Sequence, residues 1–433
     1  MVRRRAGAIA VAVLLALLAG GCTGGDGGKE PDDGASREDG GPRLEREWKI
    51  SVSGQVRSVW RVGGTFVMES RKDGLRGFDA DTGKRRWTLE LPPGADGICE
   101  MSVRPDNGML GAVFGEKTDE GIHACKTVGA VEVTSGRLLW RKRVADDSLG
   151  AVSIGGGVVT TDLFEGGVRR YNAADGDALP GLRDAGKPAH NRSFHDGSHV
   201  VVGQQRGGFT VHDAESGKRL WESGRGIEVH RLVASVPLTL DVTDGGQRQV
   251  NVYDAESAER LGTFAPNQPL RTYRNVSGSP VTGDTTQLID TPRGRGGVLV
   301  TGYAEGDQQT AYDISGAPGK PLWRGSQKKA VPFHVNAGGI LASTTVRGER
   351  PVPALDGPEP GRRLLLIRWG QKGAHKPADW GVVPKLDENN ARELGAVPLL
   401  FSDSTVYVMH LQAVTGDRQG KSIGRVAAYR APS

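Results

Sequence analysis

Cysteine and histidine are the residues in this chain whose spacing would decide a chemistry. The 433 residues include three cysteines, Cys22, Cys99 and Cys125. A structural zinc site wants four ligands in close pairs. Cys99 and Cys125 stand far apart with no second pair, so metal binding by thiols is not expected. His190, His195 and His199 crowd one stretch, where alternate spacing could bring two imidazoles to one strand face. A metal would also need a converging carboxylate, and the three histidines read instead as polar loop and strand-end residues. No Ser-His-Asp arrangement, phosphate-cradling loop or paired-carboxylate motif stands out. No catalytic residue is therefore assigned, and neither a metal nor a cofactor is expected.

The N-terminus carries a different chemistry. Arg3, Arg4 and Arg5 precede an apolar stretch over residues 6–18, which ends in Leu-Ala-Gly-Gly-Cys22. The apolar run is shorter than the ~20 residues needed to span a bilayer, and small residues follow it, as in an export signal. This ending resembles the bacterial lipobox. Gly21 and Cys22 match, while Ala19 stands where leucine is usual and Leu18 lies one place early. The resemblance implies a thiol-lipidated Cys22 as the new N-terminus, on the outer face of the cell membrane, or plain secretion if the lipobox is not used. Loss of the arginine triplet brings the formal net charge of +5 close to neutral. Lys and Arg are otherwise interleaved with Asp and Glu, so no basic stripe for nucleic acid is expected. With Cys22 set aside, Cys99 and Cys125 form an even pair in a chain bound for an oxidising compartment, and a disulfide is the natural reading. The sequons at Asn191 and Asn275 are incidental beside a bacterial export signal.

The elements that position these residues repeat. Gly83, Gly136, Gly217 and Gly319 each precede a tryptophan by four residues, giving Trp87, Trp140, Trp221 and Trp323. Aligned on the residue four before the glycine, Asp79, Glu132, Asn172, Asp213, Asp254 and Asp313 fall into register, followed by Gly83, Gly136, Gly176, Gly217, Ala258 and Gly316 or Gly319. The unit is about 41 residues, the length of one four-stranded propeller blade. Short Val/Ile/Leu/Thr runs between turn residues, and 65 glycines, fit an all-β chain. The side chain opening each turn can accept backbone N–H bonds, and glycine at its close tolerates a positive φ. Each tryptophan is read as packing against the neighbouring blade.

Three domains are expected: residues 1–21 as signal peptide, 22–45 as a flexible tether whose one aliphatic residue is Leu44, and 46–433 as the repeat domain. Blades three and five lack the tryptophan, and blade seven is degenerate, with Trp380 as its docking candidate. The last blade stops after Arg425-Val-Ala-Ala-Tyr429, short of a fourth strand. The segment Arg46-Glu-Trp48-Lys-Ile-Ser-Val-Ser53 reads as that missing strand. The fold expected is an eight-bladed β-propeller of four-stranded antiparallel blades, its last blade closed by the N-terminal strand.

The register Ala130-Val-Glu-Val-Thr-Ser-Gly-Arg-Leu-Leu-Trp140, with relatives at 77–87 and 211–221, resembles the tryptophan-docking PQQ-like repeat of quinoprotein-like propellers. Within that group the chain is similar to non-enzymatic lipoproteins, such as BamB-type assembly factors and PQQ-like sensor modules of membrane kinases. The same group contains quinone-dependent alcohol dehydrogenases, which hold their cofactor against a disulfide of adjacent cysteines, with calcium. No Cys-Cys pair exists here. The resemblance implies a protein-binding or scaffold module of the cell envelope, not an enzyme, with an envelope protein or sensor as partner. A sensor of small molecules or glycans is the alternative, and a quinone-dependent dehydrogenase the remotest reading. The Gly-, Ala- and Arg-rich composition suggests a high-GC Gram-positive genome, where an outer-membrane role would not carry over. The segments that break the repeat, 105–126, 276–297 and 347–362, are the expected binding places.

Overall fold

A computed structural model describes most of the backbone between residues 44 and 430, and side chains chiefly over 44–263 and 400–430. The signal segment 1–21, Cys22, nearly all of the tether, Gly316, Gly319, residues 347–362 and most of 276–297 lie outside the described residues. So do the side chains of His190, Trp323 and Trp380.

Every regular element among the described residues is a β-strand, and the strands form successive antiparallel sheets, here numbered along the chain. Sheet 1 is Val56–Val62, Thr65–Ser70, Gly74–Asp79 and Arg85–Thr88. Sheet 2 is Gly97–Met101, Met109–Lys117, His123–Glu132 and Leu138–Arg143. Sheet 3 is Leu149–Gly155, Val158–Leu163 and Val168–Asn172. Sheet 4 is Pro188–His195, His199–Gln204, Phe209–Asp213 and Arg219–Glu222. Sheet 5 is Ile227–Ser235, Leu238–Asp244, Gln247–Tyr253 and Arg260–Phe264. Sheet 6 is Gln287–Asp290, Gly297–Thr301, Gln308–Asp313 and Pro321–Ser326. Sheet 7 is Val331–Asn336, Gly339–Ser343, Arg363–Gly370, Gly373–Ala374 and Ala378–Val382. Sheet 8 is Glu393–Phe401, Thr405–Ala413 and Ser422–Arg430, completed by the N-terminal strand Glu45–Val52.

That last pairing is antiparallel, with Trp48 opposite Ala428 and Ile50 opposite Val426. The strand starts at Glu45, one residue before the expected boundary, and Leu44 ahead of it is already buried.

Two sheets depart from four strands. Sheet 3 stops at three, and an isolated bridge between Tyr171 and Ala178 is what remains of its outer strand. Pro180 follows at once, and proline has no N–H to give a ladder. Sheet 7 has five because Gly373–Ala374 and Ala378–Val382 pair separately with Arg363–Gly370.

Strand alternation puts one apolar face of each sheet against the next sheet. Trp48, Phe66, Phe78 and Tyr407 pack between sheets 8 and 1. Trp60, Val67, Leu110 and Phe114 fill the seam between sheets 1 and 2, and Val113, Trp140, Ile154 and Tyr171 that between sheets 2 and 3. Val201, Phe209, Leu240 and Tyr253 join sheets 4 and 5. Among the described residues, the seam between sheets 3 and 4 has a small apolar cluster, Val200, Val202 and Ala214 with Val168 and Leu182 against it.

Candidate functional site

The seams are built from one local device. In sheet 1 the Asp79 carboxylate accepts bonds from the Asp81 and Thr82 N–H groups and the Thr82 hydroxyl. The Thr82 side chain, then Arg86, hold the Asp79 carboxyl down to about 2. Asp213 and Asp254 accept from Ser216 and Ser257 in the same way. The turn closes on Gly83 at φ +67, and the equivalent Gly136, Gly176 and Gly217 also have positive φ. Among the described residues, only in sheet 5 does a non-glycine residue take this place, Ala258 at φ 63.

The tryptophan of the preceding sheet lies across that glycine. A Cβ added to Gly83 would sit 2.7 Å from the Trp48 ring, and one added to Gly176 would sit 2.5 Å from the Trp140 ring. Three indole N–H groups then donate to the carbonyl three residues before the turn's close: Trp48 to Ala80 at 2.9 Å, Trp140 to Ala173 at 2.7 Å and Trp221 to Ala255 at 2.9 Å. Trp87 lies over Gly136 similarly, but its buried Nε1 has no acceptor among the described residues. Trp87 thus docks through its ring, without the indole bond of the other three. Trp323 lies on Pro321–Ser326, opposite Ala311.

Each tryptophan also faces a residue on its own sheet, and that residue is small or medium-sized: Gly77, Ala130, Val211 and Ala428. Sheet 3 has Arg170 at the corresponding position and Pro180 four residues after Gly176, where a tryptophan would stand. The Arg170 side chain fills the vacated space. It reaches the Gly217 turn, where an added Cβ would overlap its guanidinium. Its Nη1 donates to Ala214 O at 2.7 Å and Glu215 O at 2.9 Å, and its Nη2 to Pro180 O. Burial lowers the pKa of Arg170, with the nearby Asp213 opposing. Guanidinium remains charged all the same. An arginine thus replaces an indole as the clasp between sheets 3 and 4. The signal for it was an arginine where the other sheets place a small residue, in the one repeat with Pro180 in the tryptophan position.

The same seam holds the polar group that sequence reasoning missed. Ser153 of sheet 3 and His195 of sheet 4 are joined by a 2.5 Å Oγ to Nδ1 hydrogen bond. The Nε2 of His195 lies 4.0 Å from Asp162 Oδ1. Contrary to the expectation, the three residue types of an acyl-transfer triad do meet. Their geometry does not suit that chemistry. Four ångströms is too long for the hydrogen bond that would orient the imidazole. Burial holds His195 down to about 4, so it is a feeble base near neutral pH. Ser153 is itself buried, away from any substrate. The group is a polar joint, and His195 stands at a strand end with its side chain buried in the seam. His199 is half-buried on the next strand. Ser193, Thr210 and His212 add buried polar side chains on the facing side of sheet 4, with His212 Nε2 2.9 Å from Thr210 Oγ1.

Carboxylates recur at one position of the second strand. Phe66, Val159 and Leu238 face Phe78, Tyr171 and Tyr253, and three residues beyond them stand Glu69, Asp162 and Asp241. Sheets 2 and 4 have Val113 and Gly203 there. Two of these acids meet different cations. Arg57 lies 3.4 Å from Glu69 and also donates to Ile98 O at 3.0 Å. Arg248 grips Asp241 with two bonds of 3.0 and 2.6 Å. Glu69 is pushed up to about 7, chiefly by burial, with Arg57 opposing and Glu100 adding. Among the described residues no group of three or more metal-ligating side chains converges.

Cys99 and Cys125 are bonded, with Cα atoms 6.1 Å apart. They lie on the first and third strands of sheet 2, so the bridge passes over the strand between. Two irregularities allow it: Cys99 is bulged out between Ile98 and Glu100, and the neighbouring ladder shifts between Phe114 and Gly115. Gly115, directly opposite Cys125, offers no side chain to obstruct the crossing. The strands of this hairpin, Met109–Lys117 and His123–Glu132, are longer than their counterparts in sheet 1.

Residues 123–253, from the third strand of sheet 2 to the third of sheet 5, match the family described as outer membrane protein assembly factor BamB. The chain is 23% identical over 317 residues to the outer membrane protein assembly factor BamB of Burkholderia pseudomallei (strain K96243), an alignment covering 69% of this chain and 74% of that protein. It is 25% identical over 235 residues to the protein of the same description from Yersinia pestis, covering 47% and 56%. The crystal structure of BamB from Moraxella catarrhalis superposes with a TM-score of 0.44 at 12% identity, covering 89% of this chain and 99% of that one.

Proposed function

We propose that this PQQ-like β-propeller, similar to BamB, is a membrane-anchored extracytoplasmic lipoprotein that acts as a protein-binding scaffold of the cell envelope. The observation that carries the reading is the similarity to BamB over 317 residues, most of the repeat region. The relatives are by description assembly factors for outer membrane proteins, and the general role carried over is that of holding another envelope protein. The chain is read as non-enzymatic, since the triad-like set of side chains found among the described residues is sealed in a seam as a weak base and a buried hydroxyl.

Under this reading the sheets close as eight blades. The N-terminal strand, paired with Ser422–Arg430, supports that count because it ties both ends of the repeat region into one sheet. Residues 1–21 are the signal peptide, Cys22 the lipidated first residue of the mature chain, and 22–45 the tether. Trp48, Trp87, Trp140, Trp221 and Trp323, with Gly83, Gly136 and Gly217, dock one blade to the next.

The partner binds at the insertions that interrupt the repeat, foremost 105–126. The lengthened hairpin and the disulfide brace described for sheet 2 support that choice, because a braced element costs less order on binding. Pull-down from membranes with each of 105–126, 276–297 and 347–362 shortened in turn tests the assignment. Loss of partner in at least one variant is expected, and an unchanged partner set in all three would overturn it. Membrane fractionation of the Cys22→Ser protein tests the anchor separately: it should leave the membrane fraction.

A further inference from the structure

A turn in sheet 2 sets a reactive pair of residues side by side. Asn107 and Gly108, the one Asn-Gly pair in the chain, lie between the first two strands of that sheet, Gly97–Met101 and Met109–Lys117. Asp106 and Met109 exchange both backbone bonds around them, Asp106 N–H to Met109 O at 3.0 Å and Met109 N–H to Asp106 O at 2.8 Å. Asn107 and Gly108 have positive φ, 47 and 76, as a two-residue hairpin turn requires. Neither of the turn's bonds uses the Gly108 N–H. A Cβ added to Gly108 would meet nothing within 4 Å. Asn107 is exposed, and its Nδ2 donates to Asp106 Oδ2 at a long 3.4 Å.

The chemistry open to such a pair is an attack by the backbone nitrogen on the asparagine side chain. A Cβ on the following residue obstructs that approach, and glycine has none. The Gly108 nitrogen bonds to Asn107 Cγ and loses its proton, the Cγ–Nδ2 bond breaks, and ammonia leaves a cyclic imide. Water then opens the ring at either carbonyl. One opening gives aspartate, and the other gives isoaspartate, whose main chain runs through the former side chain. In sum one water is consumed and one ammonia released. The other asparagines with described side chains are held away from this step. Asn172 Oδ1 accepts the Ala174 N–H at 2.9 Å, and the Ala173 N–H that would have to attack is committed to Gly157 O at 2.8 Å. Asn251 is buried in sheet 5, bonded to Tyr253 and Thr263, and the bulky Val252 follows it.

We infer that Asn107 is a site of spontaneous deamidation by the Gly108 amide, and that the product loosens the joint between sheets 2 and 3. The same Asp106 Oδ2 that receives the Asn107 amide also accepts the Gly157 N–H at 3.3 Å. Gly157 lies in the turn between Leu149–Gly155 and Val158–Leu163, so this bond ties sheet 2 to sheet 3. Deamidation puts a second carboxylate where a donor faced that oxygen, and the two like charges repel. Isoaspartate also adds a carbon to the main chain, so Asp106 and Met109 no longer close a two-residue turn. Gly108 O accepts the Val133 N–H at 2.8 Å, which carries the disturbance to the end of the third strand. The turn falls within 105–126, but the inference does not depend on a partner binding there.

The test ages the purified, folded full-length chain in mildly alkaline buffer and follows each asparagine by peptide mass spectrometry, with electron-transfer fragmentation to separate aspartate from isoaspartate. Asn107 should convert on the order of tenfold faster than Asn172, with isoaspartate among its products. Amide exchange at Gly157 should quicken in the aged protein. Asn107→Asp should show quickened exchange at Gly157 without ageing. Asn107→Gly, which accepts the positive φ of this position, should show no change in that exchange on ageing. Conversion of Asn107 no faster than that of Asn172 would overturn the site, and so would conversion confined to a urea-unfolded sample. Unchanged exchange at Gly157 in both the aged protein and Asn107→Asp would overturn the effect on the joint.

Discussion

Replacing Arg170 tests the seam where the repeat is broken. The side chain is 3% exposed and donates to three carbonyls, at Ala214, Glu215 and Pro180. Hydrogen bonds to a charged donor are worth about 1.5 to 3 kcal/mol apiece. They are not additive, and carbonyls of a surface turn recover part of the loss from water, so Arg170→Ala should cost about 3 kcal/mol. Arg170→Lys keeps the charge but loses the planar fork, and should cost about half as much. The distinctive expectation is a rescue. Arg170→Ala combined with Pro180→Trp restores the small residue and the tryptophan found in sheets 2 and 8, and should recover about 2 kcal/mol of the loss through indole burial and a bond to Ala214 O. Equilibrium urea unfolding of the mature chain gives the energies. Amide exchange over 213–217 shows whether the change is local. A cost under 0.5 kcal/mol for Arg170→Ala with unchanged exchange, against a typical surface substitution, would refute the clasp. A double variant less stable than Arg170→Ala would refute the equivalence of arginine and indole.

Other expectations follow from the same geometry. Trp140→Phe removes a 2.7 Å bond to Ala173 O and should cost about 1 kcal/mol more than Trp87→Phe, whose indole has no acceptor to lose; thermal or urea unfolding of the two variants compares them. Gly176→Ala and Gly157→Ala both strain a backbone near φ +78, but only the first drives a methyl into a tryptophan ring. Gly157→Ala should cost about 1 kcal/mol and Gly176→Ala at least twice that, by the same unfolding measurement. His195 and Glu69 pull stability in opposite directions with pH. His195, lowered to about 4, binds its proton later than in the unfolded chain, so its contribution is lost as pH falls from the ordinary histidine range toward 4. Glu69, raised to about 7, binds its proton earlier, so its contribution is lost as pH rises from the ordinary carboxylate range toward 7. His195→Gln should therefore make the chain more stable at pH 5 relative to pH 7 than wild type, and Glu69→Gln less so; identical pH profiles for both variants would contradict these environments.

Much of the fold was legible because the repeat is local. An acid, a glycine four residues on and a tryptophan four after that specify a turn and two strand ends with no reference to the rest of the chain. Sheet 4 shows the four strands expected of one repeat unit. The N-terminal strand could be read because Trp48 had the outer-strand pattern without a turn before it, and the last repeat ended one strand short. Sheet 3 was less legible. Its glycine turn is intact, so a fourth strand was expected, yet Pro180 falls where that strand would need donors. The role of Arg170 is visible only across strand pairs, since it depends on Gly77 and Ala130 facing tryptophans in other sheets. The Ser153, His195 and Asp162 group comes from two sheets, and no linear spacing signals it. The cysteine count pointed to the bridge, but not to the bulges at Cys99 and Lys126 that let it cross the strand between.

The most direct test of the proposed role is chemical crosslinking in living cells, followed by purification of the native protein from membranes and mass spectrometry of the adducts. A scaffold should yield one or a few envelope proteins, reproducibly and in amounts comparable to the bait, with crosslinked peptides that map to the insertions. Recovery of the protein without any partner above the level of an unrelated lipoprotein, together with dye reduction by the purified chain once quinone and calcium are added, would contradict the account.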